Sequence, residues 1–222
     1  MDDGYLEQRM KMVREQIERR GLKNQRLLDA FLKVPRHRFV SEDLTEYAYG
    51  DEPLVIDCGQ TISQPYIVAL MTSLLALQDD DTVLEIGTGS GYQAAILAQM
   101  TKKVHTVEYH PRLAQRARKT LQELGYHNVE VHVGDGSLGW AEGAPYQGIL
   151  VTAAAPDAPA PLLGQLAGNG RLVLPVGSRH YQELQVWERN KENFSHEGII
   201  PVSFVPLRGQ YGWSEEEWSS RF

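Results

Sequence analysis

The segment Val83-Leu84-Glu85-Ile86-Gly87-Thr88-Gly89-Ser90-Gly91-Tyr92 constrains this chain more than any other stretch. Val83, Leu84 and Ile86 read as a short buried strand, and Gln93-Ala94-Ala95-Ile96-Leu97-Ala98 as a helix. Between them the glycines recur as G-x-G-x-G. Glycine lets a backbone turn tightly and lie against a ligand with no Cβ in the way. The helix that follows aims its unpaired N–H groups at the same spot. Such a strand–loop–helix unit cradles a nucleotide. A dinucleotide fingerprint would be G-x-G-x-x-G, whereas here position 92 is Tyr and the third glycine comes one residue early. The acidic Glu85 also suits a cationic ligand, such as the amino group of S-adenosylmethionine, better than a pyrophosphate.

The neighbouring segments arrive in a consistent order. Val104 to Glu108 reads as a second strand with a carboxylate at its end, where it can accept both ribose hydroxyls. Pro111 opens a helix whose apolar positions Leu113, Ala117, Leu121 and Leu124 keep helical spacing, with Gly125 as its stop. Val129 to Val133 is a third strand, running into Gly134-Asp135-Gly136, where Asp135 can accept from an adenine amino group. Three successive strand tips would thus meet methionine, ribose and adenine.

From residue 82 onward strands and helices alternate, which predicts an α/β fold: a Rossmann-like, doubly wound, mostly parallel sheet with helices on both faces. Ile149-Leu150-Val151 and Arg171 to Pro175 continue it, with a helix around Pro161 to Leu166 between them. Glu183 to Glu188 and Val202 to Val205 are expected as later strands, with an antiparallel member at the edge. With 222 residues the chain accommodates a single domain of this type. It divides into N-terminal helices over 1–50, a connector and helix over 51–78, the core over 82–208 and a tail over 209–222. In the helical extension Leu6, Met10, Val13 and Ile17 form one apolar stripe ending near Gly21. Leu27, Leu28, Phe31 and Leu32 form a second, closed by Pro35. The acidic tail Ser214 to Trp218 reads as a solvated, frayed end.

Composition excludes several classes of function. A formal charge of −7 argues against a nucleic-acid partner, which normally requires a basic face. No apolar run approaches a membrane span, and the acidic Met1-Asp2-Asp3-Gly4 lacks the layout of a signal peptide. The single Cys58 fits a reducing cytoplasm. The seven histidines are scattered, and no Cys/His cluster has metal-ligand spacing, so no metal site is expected. A monomer is expected.

The connector carries the second informative feature, Gly59-Gln60-Thr61-Ile62-Ser63-Gln64-Pro65-Tyr66, ahead of the apolar run Ile67 to Leu77. Pro65 opens a helix, which puts Ser63 or Gln64 at its N-cap. Ser63 then either caps the helix or helps its N–H groups to hold a carboxylate.

Together with Val83 to Tyr92, this block resembles the protein-L-isoaspartate O-methyltransferase family. Leu150 to Pro156, Leu174 to Gly177, Phe204 to Leu207 and Pro35 to Val40 are similar as well, so the resemblance covers about residues 5–208. It implies methyl transfer from S-adenosylmethionine to the free α-carboxylate of L-isoaspartyl residues in damaged proteins and peptides, the start of their repair. It implies Ser63 as the catalytic residue, with Thr61 and Ile62 beside both cofactor and peptide. The family's cofactor acids match Glu85, Glu108 and Asp135, flanked by Gly87, Gly89, Gly91 and Gly136, and its peptide groove is lined in part by the region matching Phe204 to Leu207, with Val205 and Leu207 as substrate-binding residues. Gln147, where an aspartate is usual, and Asn169, where a glycine is usual, depart from the pattern outside this chemistry.

A carboxylate acceptor is already ionised at neutral pH, so no general base is needed, and no Ser-His-Asp or Cys-His constellation can be assembled. Three alternatives stay open. A small-molecule or RNA methyltransferase of the same fold would not need Thr61 to Pro65, and a catalytically silent S-adenosylmethionine-binding protein would transfer no methyl group. A dehydrogenase is disfavoured by Tyr92.

Overall fold

The computed structural model describes residues 4–219. Met1 to Asp3, part of the opening read for a signal peptide, and the last three residues of the tail lie outside them. The chain begins with a helix α1 (Leu6–Met12) that passes into a π-helical turn (Val13–Ile17) and a short 3-10 turn ending at Gly21. The π turn adds a residue and rotates the apolar face. Met12, Val13 and Ile17 are consequently buried, while Leu6 and Met10, expected in the same stripe, are exposed. Arg9 goes inside instead, its guanidinium donating to Tyr49 Oη and Leu32 O. Helix α2 (Gln25–Lys33) follows the sequence reading closely. The Asn24 side chain caps its start by accepting from Leu27 N, Leu27, Leu28 and Phe31 are buried, and Val34 leaves the helix before Pro35.

The connector folds into a two-residue ribbon, β1 (Leu54–Val55) against β2 (Thr61–Ile62), and then helix α3 (Pro65–Leu74). The core alternates β3 (Thr82–Ile86), α4 (Tyr92–Ala98), β4 (Lys103–Glu108), α5 (Pro111–Glu123) and β5 (Val129–Val133). It continues through β6 (Tyr146–Val151), α6 (Ala160–Gly164), β7 (Leu166–Gly177), β8 (Gln182–Asn190) and β9 (Asn193–Val202). The sheet order is β5-β4-β3-β6-β7-β8-β9. β5 through β7 run parallel, and β8 and β9 join antiparallel. The chain walks outward from β3 to β5 and then returns beside β3 as β6. Their carboxyl ends therefore form the crevice where open α/β sheets bind ligands.

Alternation along the strands separates two cores. Val83, Val104, Leu150 and Val173 pack with α2, α3 and α4, whereas Leu84, Ile86, Ile149, Val151 and Leu172 pack with Leu162 of α6 on the other face. The N-terminal extension is anchored to the glycine-loop helix by aromatic contacts. Phe31 and Phe39 meet the Tyr92 ring edge-on at 6.2 and 5.5 Å, and the buried Arg36 guanidinium lies 4.8 Å from its centroid. Tyr92, which breaks the dinucleotide spacing, is thus a core residue.

Several expectations are corrected. The helix placed around Pro161 to Leu166 stops at Gly164, and Leu166 already pairs with Tyr146 as the start of β7. The strand expected at Val202 to Val205 runs earlier, over Asn193–Val202. Residues 203–207 instead cross the strand tips, held by Ala154 N to Val205 O and Leu207 N to Ala154 O, both 2.8 Å. The tail is not frayed within the described residues. Ser214 and Glu217 cap each other's backbone N–H groups at the start of a last short helix, α7 (Glu215–Ser219), a reciprocal capping box. At the unusual Gln147, the side chain accepts from Thr82 N at 2.8 Å, so this departure is absorbed within the sheet.

Candidate active site

The glycine loop leaves β3 through a close backbone contact. Gly87 has φ +91°, and a Cβ there would lie 2.4 Å from Thr152 Oγ1. That hydroxyl instead donates to Gly87 O at 2.7 Å, tying the tips of β3 and β6 together. Gly91, also left-handed at φ +90°, lets α4 start against α5, where a Cβ would meet Ala117 and Leu121 at 3.3–3.4 Å. Glu108 at the end of β4 is buried and accepts from Gly89 N at 2.8 Å and His110 N at 2.9 Å. The second strand tip therefore shapes the loop of the first.

Two cavities that share Thr61, Gly87, Gly89 and Thr152 as lining residues open here. The first, a solvent-open space of about 570 Å³, is lined by Gly87, Gly89, Glu108, Gly136, Thr152, Val205 and Leu207. The second, about 380 Å³, lies further in, between Thr61, Ile62, Ser63, Glu85, Gly87 and Gly89.

Glu85 is the chemically distinctive group of the inner cavity. It is fully buried, its Oε2 accepts from Thr106 Oγ1 at 2.5 Å, and its Oε1 has no partner. Burial raises its pKa to about 8, helped by the charge of Glu108 and opposed by the Thr106 hydrogen bond. A protonated carboxyl kept beside an open cavity is poised to ionise when a cation enters.

A third space of about 700 Å³ forms an outer groove between Pro53, Thr61, Ser63, Ile67, Val202 and Phe204. The buried Gln182 fixes Phe204 from both sides, accepting from its N at 2.6 Å and donating to its O at 3.1 Å. Thr61 lines all three spaces, and Ser63 lines the inner cavity and the outer groove. Gln64, not Ser63, occupies the N-cap of α3, and no side-chain bond caps that helix. Ser63 makes no hydrogen bond within the described residues, so its half-buried hydroxyl is free to meet a ligand.

The structure brings together most of the residues singled out in the sequence. Val205 and Leu207 line the first cavity rather than the outer groove. Asp135 stands at the correct strand tip, but its carboxylate accepts from Ser137 N and Oγ and from Gln210 N at 2.6–2.9 Å, and the cavity wall there is Gly136. Phe204, from the block matched to the peptide groove, does line the outer groove. Sequence reasoning did not single out Thr106, Thr152 and Gln182; the similar blocks included Thr152, but nothing local marked Thr106 or Gln182.

Known proteins resemble this chain over most of its length. The family profile described as protein-L-isoaspartate(D-aspartate) O-methyltransferase (PCMT) matches residues 7–212. The chain is 54% identical over 205 residues to protein-L-isoaspartate O-methyltransferase 1 of Syntrophobacter fumaroxidans, covering 92% of this chain and 96% of that one. Identity to the protein-L-isoaspartate O-methyltransferase of Desulfotalea psychrophila is also 54%, over 213 residues, 96% of this chain and 100% of the other. A solved structure described as a protein-L-isoaspartate O-methyltransferase superposes with a TM-score of 0.84 at 28% identity, across 91% of this chain and 67% of that chain.

Proposed function

Since the chain belongs to the protein-L-isoaspartate O-methyltransferase family, we propose that its three neighbouring spaces, all lined by Thr61, divide the methylation of isoaspartyl residues among themselves. The activity itself is S-adenosylmethionine-dependent methyl transfer to isoaspartyl residues of proteins. In our assignment the first cavity takes the adenosine, with Glu108 toward the ribose and Gly136 beside the base. The inner cavity takes the methionine end, with Glu85 toward the ammonium and Gly87, Gly89 and Gly91 forming the cradle. The unpartnered, buried Glu85 Oε1 supports this fit, because a cation is what would stabilise its ionised form. Asp135 orders the base end through Gly136 and Ser137.

The outer groove takes the peptide, against Ile67, Val202 and Phe204. Val205 and Leu207 cover the seam between peptide and cofactor. Bound S-adenosylmethionine supplies an electrophilic methyl group on a cationic sulfur. The acceptor carboxylate is already ionised, so the chain has no proton to remove. Its task is to align and desolvate that carboxylate. Ser63 serves as the catalytic residue by donating its hydroxyl to the carboxylate, and Thr61 and Ile62 fix the height of the passage. The observation that carries this reading is that Thr61 and Ser63 form a shared wall between the Glu85 cavity and the outer groove.

We take the site to be complete in a monomer. No helix among the described residues is long and apolar enough to cross a membrane. The exposed, unpaired Cys58 supports a reducing, cytoplasmic setting. Isoaspartyl proteins and peptides are the partners, with neither nucleic acid nor membrane involved. The whole chain acts as a single methyltransferase domain.

The test uses labelled S-adenosylmethionine with paired peptides differing only in isoAsp versus Asp. One methylene moves between backbone and side chain, and apolar contacts alone would discriminate only weakly. A rigid passage should give strong selectivity, because misplacement by ~1 Å costs about 100-fold. Comparable turnover of the two peptides would overturn the assignment of the passage.

A further inference from the structure

We propose that His105, Glu130 and His132 form a binding site for a late first-row divalent ion such as Zn2+, away from the methyl-transfer site. The sequence spacing concealed it, since the donors lie on two parallel strands. Register places His105 of β4 beside Glu130 of β5, with His132 further along β5 on the same face.

The three donor atoms lie within 4.8 Å of one another. His105 Nδ1 is 3.1 Å from His132 Nε2 and 3.4 Å from Glu130 Oε2. Donors about 2.0–2.1 Å from a tetrahedral ion stand about 3.3–3.4 Å apart, so the two separations from His105 Nδ1 match two edges of such a site, and the third pair lies within 4.8 Å. Two imidazoles and a carboxylate are a ligand set suited to zinc, with a fourth position left for water.

The surroundings hold the donors in place. The Trp140 ring stacks on His132 at 3.8 Å, and Tyr146 packs edge-on to His105 at 6.0 Å while its hydroxyl donates to Trp140 O at 2.6 Å. Lys103 Nζ holds the other carboxylate oxygen, Glu130 Oε1, at 3.0 Å, leaving Oε2 turned to the histidine. Glu130 is exposed, so an ion has a path in from solvent.

Burial lowers the pKa of both histidines, with Lys103 acting in the same direction on each, Arg118 also on His132, and Glu130 opposing; Glu142 opposes at His132. An ion would replace the proton now shared between the two ring nitrogens, so acid should release it. A bound ion would staple β4 to β5 upstream of Glu108 and Asp135.

The experiment uses the untagged full chain. Equilibrium dialysis against Zn2+ at pH 7.5 should show one ion per chain, with a matching rise in Tm. Glu130→Gln, at an exposed position, and His132→Gln, at a half-buried one, should each weaken binding roughly tenfold or more while S-adenosylhomocysteine binding stays normal. Cu2+ should quench tryptophan emission in the wild type and much less in Trp140→Phe. Absence of saturable Zn2+ binding, or binding of undiminished strength in the His132→Gln, Glu130→Gln double variant, would overturn the site.

Discussion

The buried carboxyl of Glu85 makes a quantitative prediction about protons. Its pKa is raised to about 8, so at pH 6.5 it is protonated in the ligand-free protein. If the ligand's ammonium pairs with it, binding must expel that proton. Calorimetry of S-adenosylhomocysteine binding at pH 6.5, in buffers of differing ionisation enthalpy, should therefore report close to one proton released. Glu85→Gln, which mimics the neutral carboxyl, should release almost none. Below pH 8 each unit of pH adds to the wild-type affinity up to ~1.4 kcal/mol, or tenfold. The advantage of wild type over Glu85→Gln should grow accordingly between pH 6 and 8.

Stability of the ligand-free protein should move the opposite way. Between the ordinary carboxyl value of 4.5 and about 8, the native state keeps a proton that the unfolded chain has lost. Rising pH therefore destabilises the fold across this window and flattens above it, at most by ~1.4 kcal/mol per unit. Chemical denaturation of wild type and Glu85→Gln should converge near pH 4.5 and diverge above it, the variant becoming the more stable. Equal proton release by both proteins, together with parallel stability profiles, would refute the pairing of Glu85 with a cation.

Two further outcomes follow from the loop geometry. Gly87→Ala should cost at least ~1–2 kcal/mol in urea unfolding, since it forces a Cβ into left-handed backbone and against Thr152 Oγ1 at 2.4 Å; an unchanged midpoint would contradict this. Glu108→Ala removes the acceptor of Gly89 N and His110 N and should weaken S-adenosylhomocysteine binding by about 1.5–3 kcal/mol, measured by calorimetry, whereas wild-type affinity would remove Glu108 from the site.

Local signals carried the core of this fold because each element obeyed one period. β3, β4 and β5, the Pro111 helix and the Gly125 stop were legible from alternation, glycine and proline alone. The first helix misled because a π turn shifts the buried face from Leu6 and Met10 to Arg9 and Met12, and no residue type announces such a turn. The stretch 202–205 reads as a strand through its Val and Phe residues. It is diverted because Ala154 and Gln182, distant in sequence, take its backbone groups. In the site, Ser63 was legible as a helix-start residue, yet only the three-dimensional packing showed that Gln64 is the cap and the serine faces two cavities. Asp135 was visible at its strand tip, but its engagement by Gln210 depends on where the tail returns. The His105–Glu130–His132 group was invisible for a similar reason, since register between strands brings it together.

The most direct test of the shared passage is the single-turnover methylation rate of Ser63→Ala on an isoaspartyl peptide, measured beside its stability and its S-adenosylhomocysteine affinity. A hydroxyl donating to a charged carboxylate is worth about 1.5–3 kcal/mol, which predicts a rate lowered roughly tenfold to 150-fold. Stability should hold, because Ser63 caps nothing in α3, and S-adenosylhomocysteine should bind as before. A variant that methylates at the wild-type rate, or whose rate falls only in step with a loss of about 1 kcal/mol of stability, would contradict the role assigned to Ser63.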